Sequence, residues 1–285
     1  MPYIEHSLGK TFYTARGRST KKTKPLIWLH GGPGGFHDPC SDLFNLKTSR
    51  KIIMYDQIGG GKSSPIESSQ MKIDTFVNEL DKLISSWQLK EFHLGGGSWG
   101  TTLALEYYLR KKGQGVNSLI FQSPMFCAQL WQDDAIKLIK KMPVNDQKII
   151  NYCHEINATD SKVYQDTMFK YYLKHVLRDK DKLKDFLKTK NPNGKQVYQH
   201  MWGPSEFKAS GTLKKYNRVS CLEKITVPTL FICGQYDEAT PDSTRMFSTK
   251  VKKSQLKVIT GASHAIIKEK PEAMIKVIDN FLIKL

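Results

Sequence analysis

The stretch EFHLGGGSWGTTLALEYYLRKK (91–112) decides the fold. Its first part is apolar and ends in glycines. Its second part, from Trp99 onward, has the composition of a helix. The two meet with no loop between them, as expected for a strand of a buried sheet that feeds directly into a covering helix. At the joint stands Gly96-Gly97-Ser98-Trp99-Gly100, a G-x-S-x-G pattern. The pattern is weak by itself, but its context is specific. A serine exposed on a sharp strand-to-helix turn requires small residues two before and two after it, because strand and helix must approach closely there.

Working outward, the same rhythm recurs. KPLIWLH (24–30) runs into GGPGG, KIIMYDQ (51–57) into GGGKSS, and NSLIFQSP (117–124), PTLFICGQ (228–235) and QLKVIT (255–260) are similar apolar runs. Between the second of these and residue 91, Ile73, Phe76, Val77, Leu80, Leu83, Ile84 and Trp87 recur at helical spacing, giving one apolar face. Strand, helix, strand alternation predicts a doubly wound, mostly parallel α/β sheet. YIEHSL and KTFYTAR are expected as an antiparallel hairpin at its edge. From 125 to 225 the rhythm breaks into helical patterns (AQLWQDDAIKLIKKM, DQKIINYCHEI, SKVYQDTMFKYYLKHVLR) with many aromatics and no convincing buried strand. The expected organisation is a core in two parts, 1–124 and 226–285, with a helical cap at 125–225 inserted between them.

Bulk properties narrow the function. The chain has 285 residues, 39% hydrophobic and 25% charged, which is the composition of a folded domain. No apolar run approaches the roughly 18–20 residues that span a bilayer. Net charge is +17, yet only seven basic residues are arginine, the side chain suited to bidentate phosphate contacts, and the lysines are scattered. A solvated basic surface is expected, with neither nucleic acid nor membrane as partner. The five cysteines (40, 127, 153, 221, 233) form no C-x-x-C pair, and MPYIEHSLGK lacks the regions of a signal peptide. Reduced thiols in a cytoplasm, without a metal site, are expected.

A serine hydroxyl needs a base. In folds with this turn the partners follow in the order Ser, Asp or Glu, His. Of eight histidines only His264 lies beyond residue 237, in GASH after the strand at 255–260. The acid should follow the preceding strand, where Tyr236-Asp237-Glu238-Ala239-Thr240-Pro241 offers Asp237 first, with Glu238 and Asp242 as alternatives. Such a carboxylate would hold the imidazole tautomer and stabilise the imidazolium. Donors for a developing oxyanion are expected from the Trp99 N–H and from the glycine loop after 24–30, with Gly32 preferred and Gly31 the alternative. His30 is read as shaping that loop and His93 as buried structure. Neither glycine loop matches a phosphate-cradling motif.

With these residues in place, the sequence resembles the proline iminopeptidases (prolyl aminopeptidases), serine peptidases of the α/β-hydrolase fold, and the related tricorn-interacting aminopeptidases. HGGPGG (30–35), DQIGGGKS (56–63), GGSWGTTLALEY (96–107), WGPSEF (202–207), GQYDEATP (234–241) and GASH (261–264) carry the resemblance, in the family's order. It implies Ser98, Asp237 and His264 as a catalytic triad, Gly32 and Trp99 as oxyanion donors, and Glu206 and Glu238 as carboxylates that bind the substrate's free amine. It also implies short peptides with a free N-terminus as substrates, and no cofactor. Two departures stand out: Ser205 where asparagine is common, and Lys62 where arginine is common. The rival expectations are an esterase or amidase with no free-amine requirement, an aminopeptidase of broad specificity, and a non-catalytic binding protein.

Overall fold

A computed structural model describes residues 2–285 except Lys21, Thr48 and Lys190. The chain starts with a hairpin, β1 (Tyr3–His6) and β2 (Gly9–Arg16), in the register Tyr3↔Phe12. Then come β3 (Leu26–Leu29), β4 (Ile52–Tyr55), α1 (Ile73–Ser86), β5 (Phe92–Gly97), α2 (Trp99–Arg110) and β6 (Val116–Gln122). Five helices follow: α3 (Ala128–Ile139), α4 (Val144–Glu155), α5 (Lys162–His175), α6 (Lys180–Lys188) and α7 (Pro192–Met201). The sheet resumes with β7 (Thr229–Gly234), α8 (Pro241–Thr249) and β8 (Ser254–Ile259), and the chain ends in α9 (Ile266–Glu269) and α10 (Pro271–Leu282).

The sheet has eight strands in the order β1-β2-β4-β3-β5-β6-β7-β8. The hairpin joins antiparallel through β2 and β4, and the remaining pairs are parallel. β3 to β7 are buried at almost every position because both faces are covered. One face packs against α1 and α2 through Ile27, Leu29, Phe76, Leu80, Leu94, Leu103 and Phe121, all fully buried. The other packs against α9 and α10 through Leu26, Met54, Ile120, Ile232, Met274 and Ile278. The helices between β6 and β7 hold an apolar cluster of their own, including Leu138, Ile150, Tyr164, Met168, Tyr171 and Phe207.

Two of those helices were not read as elements from the sequence. α6 and α7 are short and polar, so hydrophobic period says little about them. Their start signals are local: Asp179 accepts hydrogen bonds from the Asp181 and Lys182 N–H groups, and Asn191 accepts from the Gly194 N–H with Pro192 at the first helical position. The parallel strands place the loops after β3, β5, β6 and β7 at one edge of the sheet. Ligands bind at that carboxyl edge in open α/β sheets.

Candidate active site

Ser98 sits between β5 and α2 with φ +53° and ψ −123°. Such a conformation costs a β-carbon-bearing residue about 1–3 kcal/mol and persists only where packing enforces it. The enforcement is visible. A β-carbon on Gly96 would lie 2.6 Å from the Gly100 backbone, and one on Gly100 would lie 2.3 Å from the Leu29 carbonyl. Both glycines are therefore required for β5, α2 and β3 to close around the turn. The Trp99 N–H begins α2, where the first amide protons have no intrahelical acceptor.

The imidazole and its carboxylate come from the far side of the sheet. His264 Nδ1 lies 2.8 Å from Asp237 Oδ1. Asp237 is buried and accepts three further hydrogen bonds: Ala239 N–H at 2.9 Å, Gly234 N–H at 3.1 Å and the Ser123 hydroxyl at 2.6 Å. Glu238 Oε1 stands farther from the same nitrogen, at 3.9 Å. Asp242 is exposed in the first turn of α8. Of the three acidic residues, Asp237 is thus the one hydrogen-bonded to the ring. Ser98 and His264 line one cavity of about 750 Å³, and the Ser98 hydroxyl makes no hydrogen bond with the ring among the described residues. Such contacts are often long before substrate binds.

Gly31, Gly32 and Gly34 line the same cavity. A β-carbon on Gly31 would meet that of Ser98 at 3.3 Å, so this loop lies directly over the serine. Gly32 has φ +127°, a backbone state that favours glycine. His30 is buried and fixes the loop: its Nδ1 hydrogen-bonds the Gly31 carbonyl at 2.7 Å and its Nε2 accepts the Gln57 N–H at 2.9 Å. The Gln57 side chain then donates to the His30 carbonyl and accepts from the Trp99 indole at 2.7 Å. Asp56 accepts from the His37 N–H and the Lys62 N–H, both at 2.8 Å. The DQIGGGKS segment therefore holds the glycine loop and the serine turn in register. His93, by contrast, is buried against the Ser118 hydroxyl at 2.7 Å, away from the cavity lining.

Glu206 and Glu238 also line the cavity, one from the segment after α7 and one from the loop after β7. Glu206 Oε2 accepts from the Tyr198 hydroxyl at 2.5 Å. Glu238 is buried, and its Oε2 has no hydrogen-bond partner among the described residues. Burial holds both carboxyls above their ordinary range, Glu238 far above it because Glu206 repels its charge. For His264, burial pulls the pKa down, but the Asp237 charge and hydrogen bond, with Glu238 and Glu206 behind them, outweigh it and push the ring up to about 9. Ser205 explains one departure from the family motif. Its hydroxyl lies 2.9 Å from His154 Nε2 and 3.0 Å from the Tyr164 hydroxyl, which ties the Glu206 segment to α4 and α5.

Several supporting residues escaped sequence reasoning. Gln122 ends β6, Ser123 and Gln57 lie just past strand ends, and only the strand order brings them to the site. Gln122 Nε2 donates to the His264 carbonyl at 2.9 Å. His264 and Ala265 N–H groups donate to the His175 and Val176 carbonyls at the end of α5, linking the ring's loop to the helical segment. The one sequence signal was the turn S-P after β6. No group of three or more His, Cys, Asp or Glu positioned to hold a metal occurs among the described residues. No helix among them is long and apolar enough to cross a membrane.

Comparison with known proteins bears on the fold and the family. Residues 24–271 match the family model described as the alpha/beta hydrolase fold. The chain is 40% identical over 265 residues to a proline iminopeptidase of Heyndrickxia coagulans, covering 90% of each. It is 32% identical over 286 residues to a proline iminopeptidase of Lactobacillus acidophilus, covering 99% of this chain and 96% of that one. A solved proline iminopeptidase of Mycobacterium smegmatis superposes with a TM-score of 0.89 at 27% identity, over 99% of this chain and 97% of its own. A thermophilic esterase from Thermogutta terrifontis superposes at 0.68 with 17% identity and shares the fold alone.

Proposed function

The chain belongs to the proline iminopeptidases of the α/β-hydrolase fold, and we propose that Ser98, His264 and Asp237 carry its reaction. It is a hydrolase that releases an N-terminal residue, preferably proline, from peptides. The observation that carries the residue assignment is a single cavity lined by Ser98, His264, Gly32, Glu206 and Glu238 together.

In this reading Glu206 and Glu238 receive the terminal ammonium through charge-assisted hydrogen bonds, placing the first carbonyl over Ser98. Ser98 attacks that carbonyl while His264 Nε2 takes the hydroxyl proton. Asp237 holds Nδ1–H and stabilises the imidazolium. The Gly32 and Trp99 N–H groups face the oxyanion. His264 then gives its proton to the leaving nitrogen, and the shortened peptide departs. Water, activated by the same imidazole, hydrolyses the aminoacyl ester and frees Ser98. Leaving the buried carboxylates without a cation disfavours blocked or internal amines. Tyr172 and Tyr198 line the cavity near Glu206 and suit a pyrrolidine ring.

The cavity is larger than one prolyl residue and leaves room for the departing end of a short peptide. Residues 125–225 serve as the cap that carries Glu206. Five free cysteines support a reducing, cytoplasmic setting. Purified protein should hydrolyse a prolyl-arylamide in the presence of a chelator, and Ser98→Ala should abolish turnover. Turnover that survives the substitution, or that stops with the chelator, would overturn the assignment.

A further inference from the structure

We propose that the substrate's ammonium switches on the base: in the empty site Asp237, Glu238 and Glu206 hold His264 as an imidazolium, and the arriving amine takes over that positive charge. This rests on the roles assigned above to His264 and the two glutamates.

The geometry is a one-sided charge cluster. His264 Nδ1 lies 2.8 Å from Asp237 and 3.9 Å from Glu238, with Glu206 on the same cavity. Among the described residues, no lysine or arginine forms an ion pair with any of the three carboxylates. The aromatic groups facing the cluster carry no positive charge. They are the Tyr171 and Tyr172 phenols of α5, the Tyr198 hydroxyl of α7 on Glu206, and the Trp131 ring of α3, edge-on to His264 at 5.7 Å. The His175 ring is engaged with the Tyr236 carbonyl. Lys188 and Lys195 line the cavity but make no ion pair with the cluster. A dry group of carboxylates with no fixed cation stores protons, and the imidazole is the group best able to hold one as a charge.

An imidazolium has no lone pair at Nε2, so it cannot accept the Ser98 proton. An ammonium seated between Glu206 and Glu238 satisfies the carboxylates and repels the imidazolium. The Nε2 proton leaves to water as the amine enters, so one positive charge replaces another. Buried Glu238 Oε2, without a hydrogen-bond partner among the described residues, is the acceptor the amine would satisfy. Free-amine selectivity then lies in the rate step as well as in binding, because a blocked substrate meets a protonated base.

The test uses an amine-free aryl sulfonyl fluoride, which modifies Ser98 only when His264 is neutral. Its inactivation rate is followed against pH, without and with methylammonium chloride, with sodium chloride at matched ionic strength as control. The free enzyme should show a midpoint near 9, the value toward which the carboxylates push the ring. Methylammonium should lower the midpoint by a unit or more, accelerating inactivation about tenfold per unit at pH 7. Glu238→Gln should lower the midpoint without added amine and blunt the response, and Glu206→Gln should do so more weakly. A wild-type midpoint near the ordinary histidine value of about 6.5, or one that methylammonium leaves unmoved, overturns the proposal. Prolyl-arylamide turnover on the same preparation separates the two levels. Turnover with an ordinary midpoint removes the switch and leaves the aminopeptidase, whereas absent turnover removes both.

Discussion

Gly100→Ala is the sharpest probe of how the fold builds the site. The added β-carbon would stand 2.3 Å from the Leu29 carbonyl and 2.9 Å from that of His30. Ordinary contact begins at 3.4 Å, so the shortfall is 3.4 − 2.3, or about 1.1 Å. The obstructing atoms are backbone at the end of β3 and cannot rotate away, so α2 and β3 must part by about that distance. Ser98 precedes α2 and Gly32 follows β3, so the gap opens between the proposed nucleophile and its proposed oxyanion donor. A misplacement of about 1 Å can cost about 10²-fold in rate. Overpacking of this kind costs about 1–3 kcal/mol. At about 2.1 cal/mol/K per residue the unfolding entropy is roughly 0.6 kcal/mol/K, so Tm should fall by about 2–5 °C. Steady-state kinetics on a prolyl-arylamide and thermal unfolding followed by circular dichroism measure both. Unchanged kcat together with unchanged Tm would refute the claim that this glycine sets the distance between serine and loop.

Asp237→Asn should lower kcat by on the order of 10³–10⁴-fold with little change in KM, because the amide favours the wrong imidazole tautomer; a loss under tenfold would contradict the orienting role. Tyr198→Phe removes the hydroxyl that holds Glu206, a hydrogen bond to a charged group worth about 1.5–3 kcal/mol; KM should rise about tenfold with Tm nearly unchanged, and an unaltered KM would count against Glu206 as an amine anchor. Glu79 is buried, accepts from Thr11 and the Ile58 N–H, and is pushed up by burial to about 8. Its folded value lies above its unfolded one, so its contribution is present at low pH and is lost as pH rises toward 8. Denaturant titrations should show the stability of wild type falling relative to Glu79→Gln between pH 4.5 and 8, by up to about 1.4 kcal/mol per unit; parallel curves would contradict this.

What could be read in advance was what chemistry writes locally. Apolar runs ending in glycine gave the parallel strands, and the G-x-S-x-G crowding gave the turn at Ser98. GASH and YDEATP were recognisable because each follows its own strand. The residues that brace them were not, because their partners are chosen by strand order. Gln57 follows β4 and Ser123 follows β6, yet they meet Trp99 and Asp237 only because β4, β3, β5, β6 and β7 lie side by side. The acidity of the cavity was equally hidden. A sequence with net charge +17 gives no hint that Glu206, Glu238 and Asp237 gather without a lysine or arginine ion pair among the described residues. Glu206 itself was indicated by resemblance alone, since a glutamate in a polar loop carries no local signal.

The most direct measurement compares kcat/KM for a prolyl-arylamide and its N-acetylated counterpart on one preparation. A serine aminopeptidase that seats the substrate's ammonium on Glu206 and Glu238 should favour the free amine by on the order of 10⁴-fold. Comparable values for the two substrates would contradict that account and point to an amidase indifferent to the terminus.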